Sequence, residues 1–503
     1  MAGWEKMQRR TLWWDDLGFG LDTGDLVPDG WEENWGKMAQ AALLAMERLE
    51  SGAVANGTEQ RRVGHYWLRA PELAPTEEIR LAIETTTARL RRFTAAIHGG
   101  KIMANGKKFS HLICVGIGGS VLGTQLFHGA LAPANPPLIP FFMDNTDPEG
   151  MVRVLASIGK NLGTTLVIVA SKSGTTPEPC NALQVIRQAM ERDGLNLAER
   201  AVAITCSSSA LDRQAEEEKW LERFPMWDWV GGRNSALSAV GLLPAALMGI
   251  DTESLLAGAA AMDRLGRSTG GRNPSLQLAL AWYAATGGRG ERAMVTIPYR
   301  DSLARFSPYL QQIVMESIGK RLDRNGKTVH QGLTVYGNRG STDQHSYVQQ
   351  LRDGPNNFFV NFIEVLRSPA DGLNAATATA VAYLEGFYLG TRAALEEAGR
   401  PTLTVTLLEL TPFSLGMLMA LYERAVGIYG EFVNVNAYDQ PGVEAGKRAA
   451  DRFLRLKNDV ETFLASAGKT AEEASAAAVA EALGRPEEEE MVYKWLAFLR
   501  AHS

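Results

Sequence analysis

Short apolar runs that end in glycine or serine recur in the middle of the chain. The first series lies at positions 111–115, 139–143, 166–170 and 202–205. Each run has the length of a strand, and helical stretches separate one run from the next. This alternation predicts a parallel sheet with helices on both of its faces.

A second series of the same kind begins after the glycine-rich stretch at 287–290. Its runs lie at positions 293–297, 333–336, 358–363 and 403–407. They predict a second domain of similar architecture, although no residue-level repeat links the two series. The predicted fold class is therefore α/β, with two doubly wound parallel-sheet domains.

The two ends of the chain have a different pattern. Positions 1–95 are punctuated by aromatic residues and carry an apolar helical period through Met38, Ala42 and Met46, which predicts a helical N-terminal arm. The end of the chain is rich in alanine and glutamate, which predicts a C-terminal helical tail. The predicted segments are the arm at 1–95, the first domain at 96–280, the second domain at 281–450 and the tail at 451–503.

Composition excludes several classes of protein. With 503 residues, 45% of them hydrophobic and 21% charged, the chain can bury large cores and is not a disordered protein. No apolar run is long enough to span a bilayer, and no basic start followed by an apolar core opens the chain, so we expect a cytoplasmic protein without a membrane partner. The three cysteines stand singly, as structural thiols do, and not in a zinc or disulfide pattern.

The formal net charge of −6 constrains possible ligands. It favours no nucleic-acid partner, because nucleic-acid-binding domains usually carry a clustered basic face. An anionic substrate would meet a mildly repulsive field, so local donors must hold it. The histidines are scattered and form no cluster with metal-ligand spacing, so we expect neither a metal nor another cofactor.

The first loop with chemical content, at 116–120, follows the first predicted strand. Its glycines, including Gly119, allow main-chain amides to approach an anion, and Ser120 adds a hydroxyl. A dinucleotide-binding loop would require a third glycine where Val121 stands, although Asp144 after the next strand fits such a site. The loop alone therefore leaves phosphate and nucleotide binding open.

A second loop follows the third predicted strand and is rich in hydroxyl groups. Its residues are Ser171, Lys172, Ser173, Gly174, Thr175, Thr176, Pro177 and Glu178. Hydroxyls, amides, a lysine and the start of a helix can together hold one phosphate group. The alternative is a Ser/Thr-rich helix cap. Both loops leave the carboxyl ends of strands, the edge at which open parallel sheets bind ligands.

The second loop resembles the phosphate loop of sugar isomerase (SIS) domains. Four further segments narrow the resemblance, at 231–235, 315–320, 342–347 and 439–447. In order and spacing they resemble the glucose-6-phosphate isomerase family. The resemblance implies two SIS domains and the reversible conversion of glucose 6-phosphate to fructose 6-phosphate in glycolysis and gluconeogenesis. It also implies a homodimer whose active sites are shared between subunits.

The resemblance assigns catalytic roles to residues of suitable chemistry. Aldose–ketose conversion requires a base that moves a proton between two carbons, groups that open the sugar ring, and positive charge near the enediolate. Glu316 resembles the family's base, and Arg233 the arginine that stabilises the enediolate. His345, which the family supplies from the neighbouring subunit, and Lys447 resemble the ring-opening groups.

The implied substrate-binding residues lie in the same segments. They are Gly119, Ser120, Ser171, Lys172, Ser173, Thr175, Thr176, Glu178, Gly232, Gln312 and Gln440. Three departures from animal relatives, at Ser173-Gly174, Ile318 and Pro441, indicate a bacterial branch. Three alternatives stay open at this point: a bifunctional phosphoglucose/phosphomannose isomerase, a non-catalytic phosphosugar sensor, and a structural partner-binding protein.

Overall fold

The strands determine where the loops with chemical content meet. The computed structural model describes residues 3–368 and 374–502. In chain order the strands are β1 Thr11–Trp14, β2 Phe19–Asp22, β3 His111–Val115, β4 Ile139–Met143, β5 Thr165–Ala170, β6 Ala201–Thr205, β7 Glu222–Pro225, β8 Ala293–Pro298, β9 Lys320–Leu322, β10 Thr328–Gln331, β11 Val335–Tyr336, β12 Phe358–Arg367 and β13 Thr402–Glu409.

The α-helices connect and flank these strands. They are α1 Gly3–Arg10, α2 Trp31–Glu50, α3 Glu77–Gly99, α4 Leu122–Leu131, α5 Pro148–Ile158, α6 Pro177–Arg192, α7 Ala210–Glu217, α8 Ala239–Leu247, α9 Thr252–Gly266, α10 Pro274–Thr286, α11 Phe306–Leu310, α12 Val348–Asp353, α13 Ala375–Glu397, α14 Pro412–Phe432, α15 Pro441–Ala467, α16 Ala476–Ala482 and α17 Glu489–His502. A π-helical stretch, Gln311–Glu316, continues directly from α11.

The first sheet is parallel throughout, with the spatial order β4-β3-β5-β6-β7. Its central strands β3, β5 and β6 are buried along their whole length. Alternate residues enter two different cores: Ile113 and Val167 face one, and Leu112 and Leu166 face the other. Helices therefore cover both faces, and strands buried on both faces become continuous apolar runs. The predicted first sheet is confirmed, with β7 as an unpredicted edge strand.

The second sheet is mixed, with the order β1-β2-β13-β12-β8-β11. Strands β11, β8, β12 and β13 are parallel, and all four were predicted, although β11 is shorter than the predicted run. Alternation again separates two cores, because Phe358 and Val360 pack towards Tyr388 of α13 while Phe359 and Ile363 enter the main core. Strands β9 and β10 form a separate antiparallel pair.

The N-terminal residues contain more than the predicted helical arm. Helices α2 and α3 lie there, but β1 and β2 form a hairpin that adds to the second sheet, with β2 antiparallel to β13. The helical interpretation of this part was therefore incomplete. Gly18, which follows a short 3₁₀ turn between the strands, has a φ of +56°, and its oxygen accepts a hydrogen bond from the amide of Leu408.

The chain divides into two compact units, Met1–Asp439 and Gln440–Ser503. The second unit contains α15, α16 and α17 and has its own apolar core, to which Leu456, Val460, Val492 and Leu496 contribute. The predicted C-terminal helical tail is confirmed by these helices. Across residues 3–368 and 374–502, every helix is too short or too polar to traverse a bilayer.

Candidate active site

The loop at 116–120 connects β3 to α4 through a short 3₁₀ turn, Gly118–Ser120. This turn packs directly on a second one, Gly232–Asn234. A methyl group at Gly119 would lie 2.0 Å from the main-chain oxygen of Gly232 and 2.7 Å from the amide nitrogen of Arg233. The hydroxyl of Ser235 also donates to the main-chain oxygen of Gly119 at 3.1 Å. Glycine is thus required here because two main-chain segments come into contact.

Asp144, which fitted a nucleotide site in the sequence, has a different partner. Its carboxylate accepts a hydrogen bond of 2.7 Å from the side-chain amide of Gln125 in α4. An acidic residue that binds a ribose needs a carboxylate that is open to the hydroxyls. Together with Val121 in place of the third glycine, this contact favours the phosphate interpretation of the first loop.

The phosphate loop, residues 171–176, connects β5 to α6. Its side chains hydrogen-bond to its own main chain: the amide of Gly174 donates to Ser171 Oγ at 3.1 Å, and the amide of Thr175 donates to Ser173 Oγ at 3.1 Å. Gly174 has a φ of +72°, and a methyl group there would lie 2.3 Å from the amide nitrogen of Leu211. The loop therefore takes one conformation that a larger residue at position 174 would disrupt.

The helix that follows the phosphate loop starts with few amide donors. Thr176 is the N-cap residue of α6, and its side chain accepts no hydrogen bond from the first helical amides, which disfavours a simple helix cap. Pro177 and Pro179 have no N–H group, and the amide of Cys180 donates to the main-chain oxygen of Thr176 at 3.2 Å. This leaves the amide of Glu178 for an anion, which the helix dipole would also favour. Glu178 lies half-buried in the first turn of the same helix.

Lys172 places a half-buried ammonium group beside this loop. Its Nζ lies 3.5 Å from the main-chain oxygen of Asp228. Burial lowers the pKa of Lys172 below its usual value, because desolvation disfavours the charged form. A bound anion would restore the charged form by direct attraction, which suits a lysine that contacts a phosphate.

Arg233 is the most constrained side chain of the site. It lies in the turn Gly232–Asn234 and is buried. Its Nε donates to Ser317 Oγ at 2.8 Å, and its Nη2 donates to the main-chain oxygens of Ala437 at 2.9 Å and Asp439 at 2.8 Å. Burial lowers the pKa of Arg233, while the carboxylates of Glu316 and Asp439 act in the opposite direction. Three of its five N–H groups are used, and those on Nη1 remain for other partners.

Glu316 faces this unused nitrogen. It ends the π-helical stretch Gln311–Glu316, and its Oε2 lies 3.5 Å from Nη1 of Arg233. This oxygen is buried and has no hydrogen-bond partner within residues 3–368 and 374–502. We call Arg233 and Glu316 the proton-transfer centre, after the roles predicted for them from the sequence. Single π-helical turns inside helices occur frequently at functional sites, because they redirect side chains.

Gln312 lies in the same π-helical stretch and reaches the first loop. A methyl group at Gly118 would lie 3.0 Å from Nε2 of Gln312. The structure thus brings Gln312, Gly119, Gly232, Arg233 and Glu316 together from three separate parts of the chain. The sequence could not show that these three parts meet, because they are far apart in the chain and come together only when the two turns and the π-helical stretch pack.

Two charged residues of the site were not singled out in the sequence. Lys320 donates to the main-chain oxygen of Glu316 at 2.7 Å and to that of Asp439 at 3.1 Å. Its Nζ also lies 3.5 Å from Oδ1 of Asp439. Both residues stand at the ends of segments that resemble the family, but their positions alone indicate no role.

His345 lies apart from the proton-transfer centre. It ends the short 3₁₀ helix Thr342–His345 and is exposed, and its imidazole makes no hydrogen bond or ion pair with another described residue. The loop around it is firmly held, because Oδ2 of the buried Asp343 accepts the amides of Asn338 at 2.9 Å and Arg339 at 3.0 Å. The structure therefore presents His345 outward on a rigid loop.

The remaining predicted residues belong to the second unit. Gln440 is the N-cap residue of α15, and Lys447 lies within that helix. The side chain of Lys447 is outside the described residues. The roles of both residues stay predictions.

A sequence profile described as Phosphoglucose isomerase matches residues 27–395 and 393–470. The chain belongs to the phosphoglucose isomerase family. The glucose-6-phosphate isomerase of Geobacter sp. (strain M21) is 51% identical over 505 residues, covering 99% of this chain and 95% of that protein. That of Thermosynechococcus vestitus is 52% identical over 470 residues, covering 92% and 88%.

A solved structure is also similar. The glucose-6-phosphate isomerase of Chlamydia trachomatis superposes with a TM-score of 0.80 at 29% identity, covering 90% of this chain and 91% of that one. The predicted membership of the phosphoglucose isomerase family and the predicted α/β fold class are confirmed. The similar proteins include bacterial members and a chloroplastic member from Arabidopsis thaliana, 51% identical over 472 residues.

Proposed function

We propose that this protein is a glucose-6-phosphate isomerase, which interconverts glucose 6-phosphate and fructose 6-phosphate. The observation behind the proposal is the proton-transfer centre. There a buried carboxylate oxygen, without a hydrogen-bond partner in the part of the chain that the structure describes, faces Nη1 of an arginine whose other nitrogens are anchored. Family membership supports the same reaction, and the relatives named above carry this name. A bifunctional enzyme and a non-catalytic sensor are therefore not favoured.

Glu316 is proposed as the base of the reaction. In the open-chain sugar its carboxylate takes the proton from carbon 2, and the electron pair moves into an enediolate. The protonated carboxyl then returns the proton to carbon 1, while the proton of the carbon 2 hydroxyl is transferred to the oxygen on carbon 1. Carbon 1 is reduced and carbon 2 is oxidised within the same molecule, so the reaction requires no redox cofactor. Oε2 of Glu316 supports this role, because no donor among the described residues makes a hydrogen bond to it and it is therefore free to accept a proton.

Arg233 is proposed to stabilise the enediolate. Its Nε and Nη2 are held by Ser317, Ala437 and Asp439, which leaves the Nη1 hydrogens at a defined position beside Glu316. A positive charge that is already oriented stabilises developing negative charge without reorganisation. Burial strengthens the effect, because fewer water molecules screen the charge.

The phosphate group is proposed to bind at the first loop and the phosphate loop. The exposed side chains of Ser173 and Thr175, the amide of Glu178 and the half-buried Lys172 are all available to an anion. Ser120 and Gln312 would contact the substrate between the phosphate and the proton-transfer centre. The local supply of donors agrees with the net charge of the chain, which provides no general attraction for a phosphate.

We further propose that the active site is shared between two subunits of a homodimer. The exposed His345 lies on a loop that is tied to α13, because the neighbouring Gln344 donates to the main-chain oxygen of Phe387 at 3.1 Å. Three large apolar side chains of α13, Tyr383, Phe387 and Leu389, are exposed in the single chain at 63%, 44% and 53%. Such a patch is typical of a protein–protein interface. His345 would then reach the partner's site and open the sugar ring there.

Subunit sharing has a direct test. A Glu316→Gln dimer mixed with a His345→Ala dimer forms heterodimers in which one site has both wild-type residues. Random exchange should restore about a quarter of the wild-type activity, since half of the dimers carry one intact site. No recovery, under conditions where subunit exchange is demonstrated with tagged chains, would contradict the shared site.

The proposed reaction fits a cytoplasmic enzyme. Cys114, Cys180 and Cys206 are free thiols, as expected in a reducing compartment. Within the described residues, no group of three or more His, Cys, Asp or Glu side chains is placed to hold a metal ion.

The activity is tested by following the formation of glucose 6-phosphate from fructose 6-phosphate in a coupled assay with a chelator present. The account predicts robust turnover by the purified protein. Folded protein that binds the sugar phosphate without turnover would instead identify a sensor.

A further inference from the structure

A buried ammonium group lies at the end of the helix that carries Glu316. The side chain of Lys320 is only 4% exposed, and its Nζ lies within 3.5 Å of three oxygens: the main-chain oxygens of Glu316 and Asp439 and Oδ1 of Asp439. Two of the three ammonium donors are engaged by the main-chain oxygens, and Oδ1 of Asp439 lies at ion-pair distance from the same group. A lysine is rarely buried unless its charge is paired, and here the partners belong to the active site.

These contacts complete a ring of four residues, Glu316, Arg233, Asp439 and Lys320. Lys320 and Arg233 both donate to the main-chain oxygen of Asp439, at 3.1 Å and 2.8 Å. Lys320 also donates to the main chain of Glu316, and Arg233 faces its carboxylate. The two members of the proton-transfer centre are thus joined a second time, through Asp439 and Lys320.

The ring is balanced in charge. It contains two cations, Arg233 and Lys320, and two carboxylates, Glu316 and Asp439. The other oxygen of Asp439 is satisfied by Thr58 Oγ1 at 2.6 Å and Asn436 Nδ2 at 3.1 Å. Removal of the Lys320 charge would leave two nearby carboxylates with one cation, and burial makes that imbalance costly.

We propose that Lys320 is a positioning residue, which keeps Glu316 and Arg233 in the geometry that proton transfer requires. This inference rests on the proposed isomerase function. Lys320 acts through the main chain of Glu316 and through Asp439 and does not contact the reacting atoms. Proton transfer is sensitive to displacements of less than 1 Å, so a loosened ring slows turnover more than it weakens substrate binding.

The protonation state of Lys320 provides a specific readout. Burial, and then the nearby Arg233, lower the pKa of Lys320 to about 8, although Asp439 and Glu316 act in the opposite direction. The amine is charged below this pH and neutral above it. The ring therefore loses one of its cations as the pH rises through this value, and turnover falls there.

The test compares kcat and KM of the wild type, Lys320→Met and Lys320→Arg in the coupled assay, on both sides of pH 8. Lys320→Met should lower kcat by about 10- to 100-fold with KM changed by less than about threefold. Lys320→Arg should keep part of the activity and lose the fall in kcat near pH 8, since a guanidinium remains charged. Lys327→Met is the control, because Lys327 is exposed in the neighbouring β9–β10 turn, and it should behave as the wild type.

The outcomes separate the two proposals. An inactive wild type would overturn the isomerase function and this inference with it. An active wild type with an equally active Lys320→Met variant would overturn only the role of Lys320. If Lys320→Met does not fold, Lys320→Arg decides: a variant that keeps the wild-type fall in kcat near pH 8 contradicts the proposal, and one that loses it supports the proposal.

Discussion

The proton-transfer centre and the phosphate loop are held in different ways. Arg233 is buried and anchored by Ser317, Ala437 and Asp439, which come from distant parts of the chain. The phosphate loop is held by its own hydroxyls and by main-chain hydrogen bonds to the segment that follows β6, since the amide of Ala210 donates to the main-chain oxygen of Ser173 at 3.1 Å. The side chains of Ser173 and Thr175, in contrast to that of Arg233, are exposed. The proposed proton transfer would thus use buried side chains that are fixed in one position. The proposed phosphate binding would use exposed side chains, because several equivalent donors tolerate small shifts.

The largest effect is expected from the base. Glu316→Gln keeps the shape of the side chain but removes the proton acceptor, so kcat should fall by about 10²- to 10⁴-fold with little change in KM. Steady-state kinetics with fructose 6-phosphate measure this split. Near-normal turnover in a variant with the wild-type circular dichroism spectrum would remove Glu316 from its proposed role.

A somewhat smaller effect is expected from the arginine. Arg233→Lys keeps a positive charge but cannot reproduce the fork that bonds Ser317, Ala437 and Asp439 while facing Glu316. We expect kcat/KM to fall by about 10²- to 10³-fold, and the melting temperature to fall as well, because buried main-chain oxygens lose their donor. Retention of more than about a third of the wild-type kcat/KM would mean that charge alone is sufficient.

The contact between the two turns gives the next prediction. In Gly119→Ala the added methyl group would meet the main-chain oxygen of Gly232 at 2.0 Å, so the turns must separate and Arg233 must move. Activity should fall by about 10- to 100-fold, and the free energy of unfolding by about 1 to 3 kcal/mol. Gly231→Ala is the matched control, because within the described residues no heavy atom other than those of its chain neighbours lies within 4 Å of the added methyl group. Equal behaviour of the two variants would show that the close approach has no role.

The smallest effect is expected in the phosphate loop. Ser173→Ala removes the hydroxyl that accepts from Thr175, at 3.1 Å from the amide and 2.9 Å from the side chain. KM should rise by about 2- to 10-fold with kcat almost unchanged. A fall in kcat without a change in KM would indicate that this loop also positions the reacting carbons, and the contrast between the two regions would be lost.

The fold could be predicted where the pattern is local. Strands buried on both faces, such as β3 and β5, appear as continuous apolar runs, and their bounds were predicted to within one residue. The hairpin of β1 and β2 was missed, because its strands are only four residues long and are stabilised by pairing with β13 far along the chain. Strands as short as β1 and β2 show little alternation of apolar and polar residues.

The sequence could predict which residues belong to the candidate site, but not which of them contact one another. The resemblance to the family identified Glu316 and Arg233, and the structure brings them to 3.5 Å. The sequence does not indicate a role for Lys320 or Asp439. Lys320 bonds the main-chain oxygens of Glu316 and of the distant Asp439, and only the folded chain brings these groups together. The roles of His345, Gln440 and Lys447 stay predictions, since they depend on a second subunit or on the C-terminal unit.

Proton transfer by Glu316 is tested most directly by solvent exchange. The purified protein is incubated with fructose 6-phosphate in D₂O, and deuterium at carbon 2 of the glucose 6-phosphate formed is followed by NMR for the wild type and Glu316→Gln. We expect the wild type to incorporate deuterium at carbon 2. We expect Glu316→Gln to lose both this incorporation and turnover. Incorporation by Glu316→Gln at the wild-type rate would contradict this role of Glu316, because another group would then carry the proton.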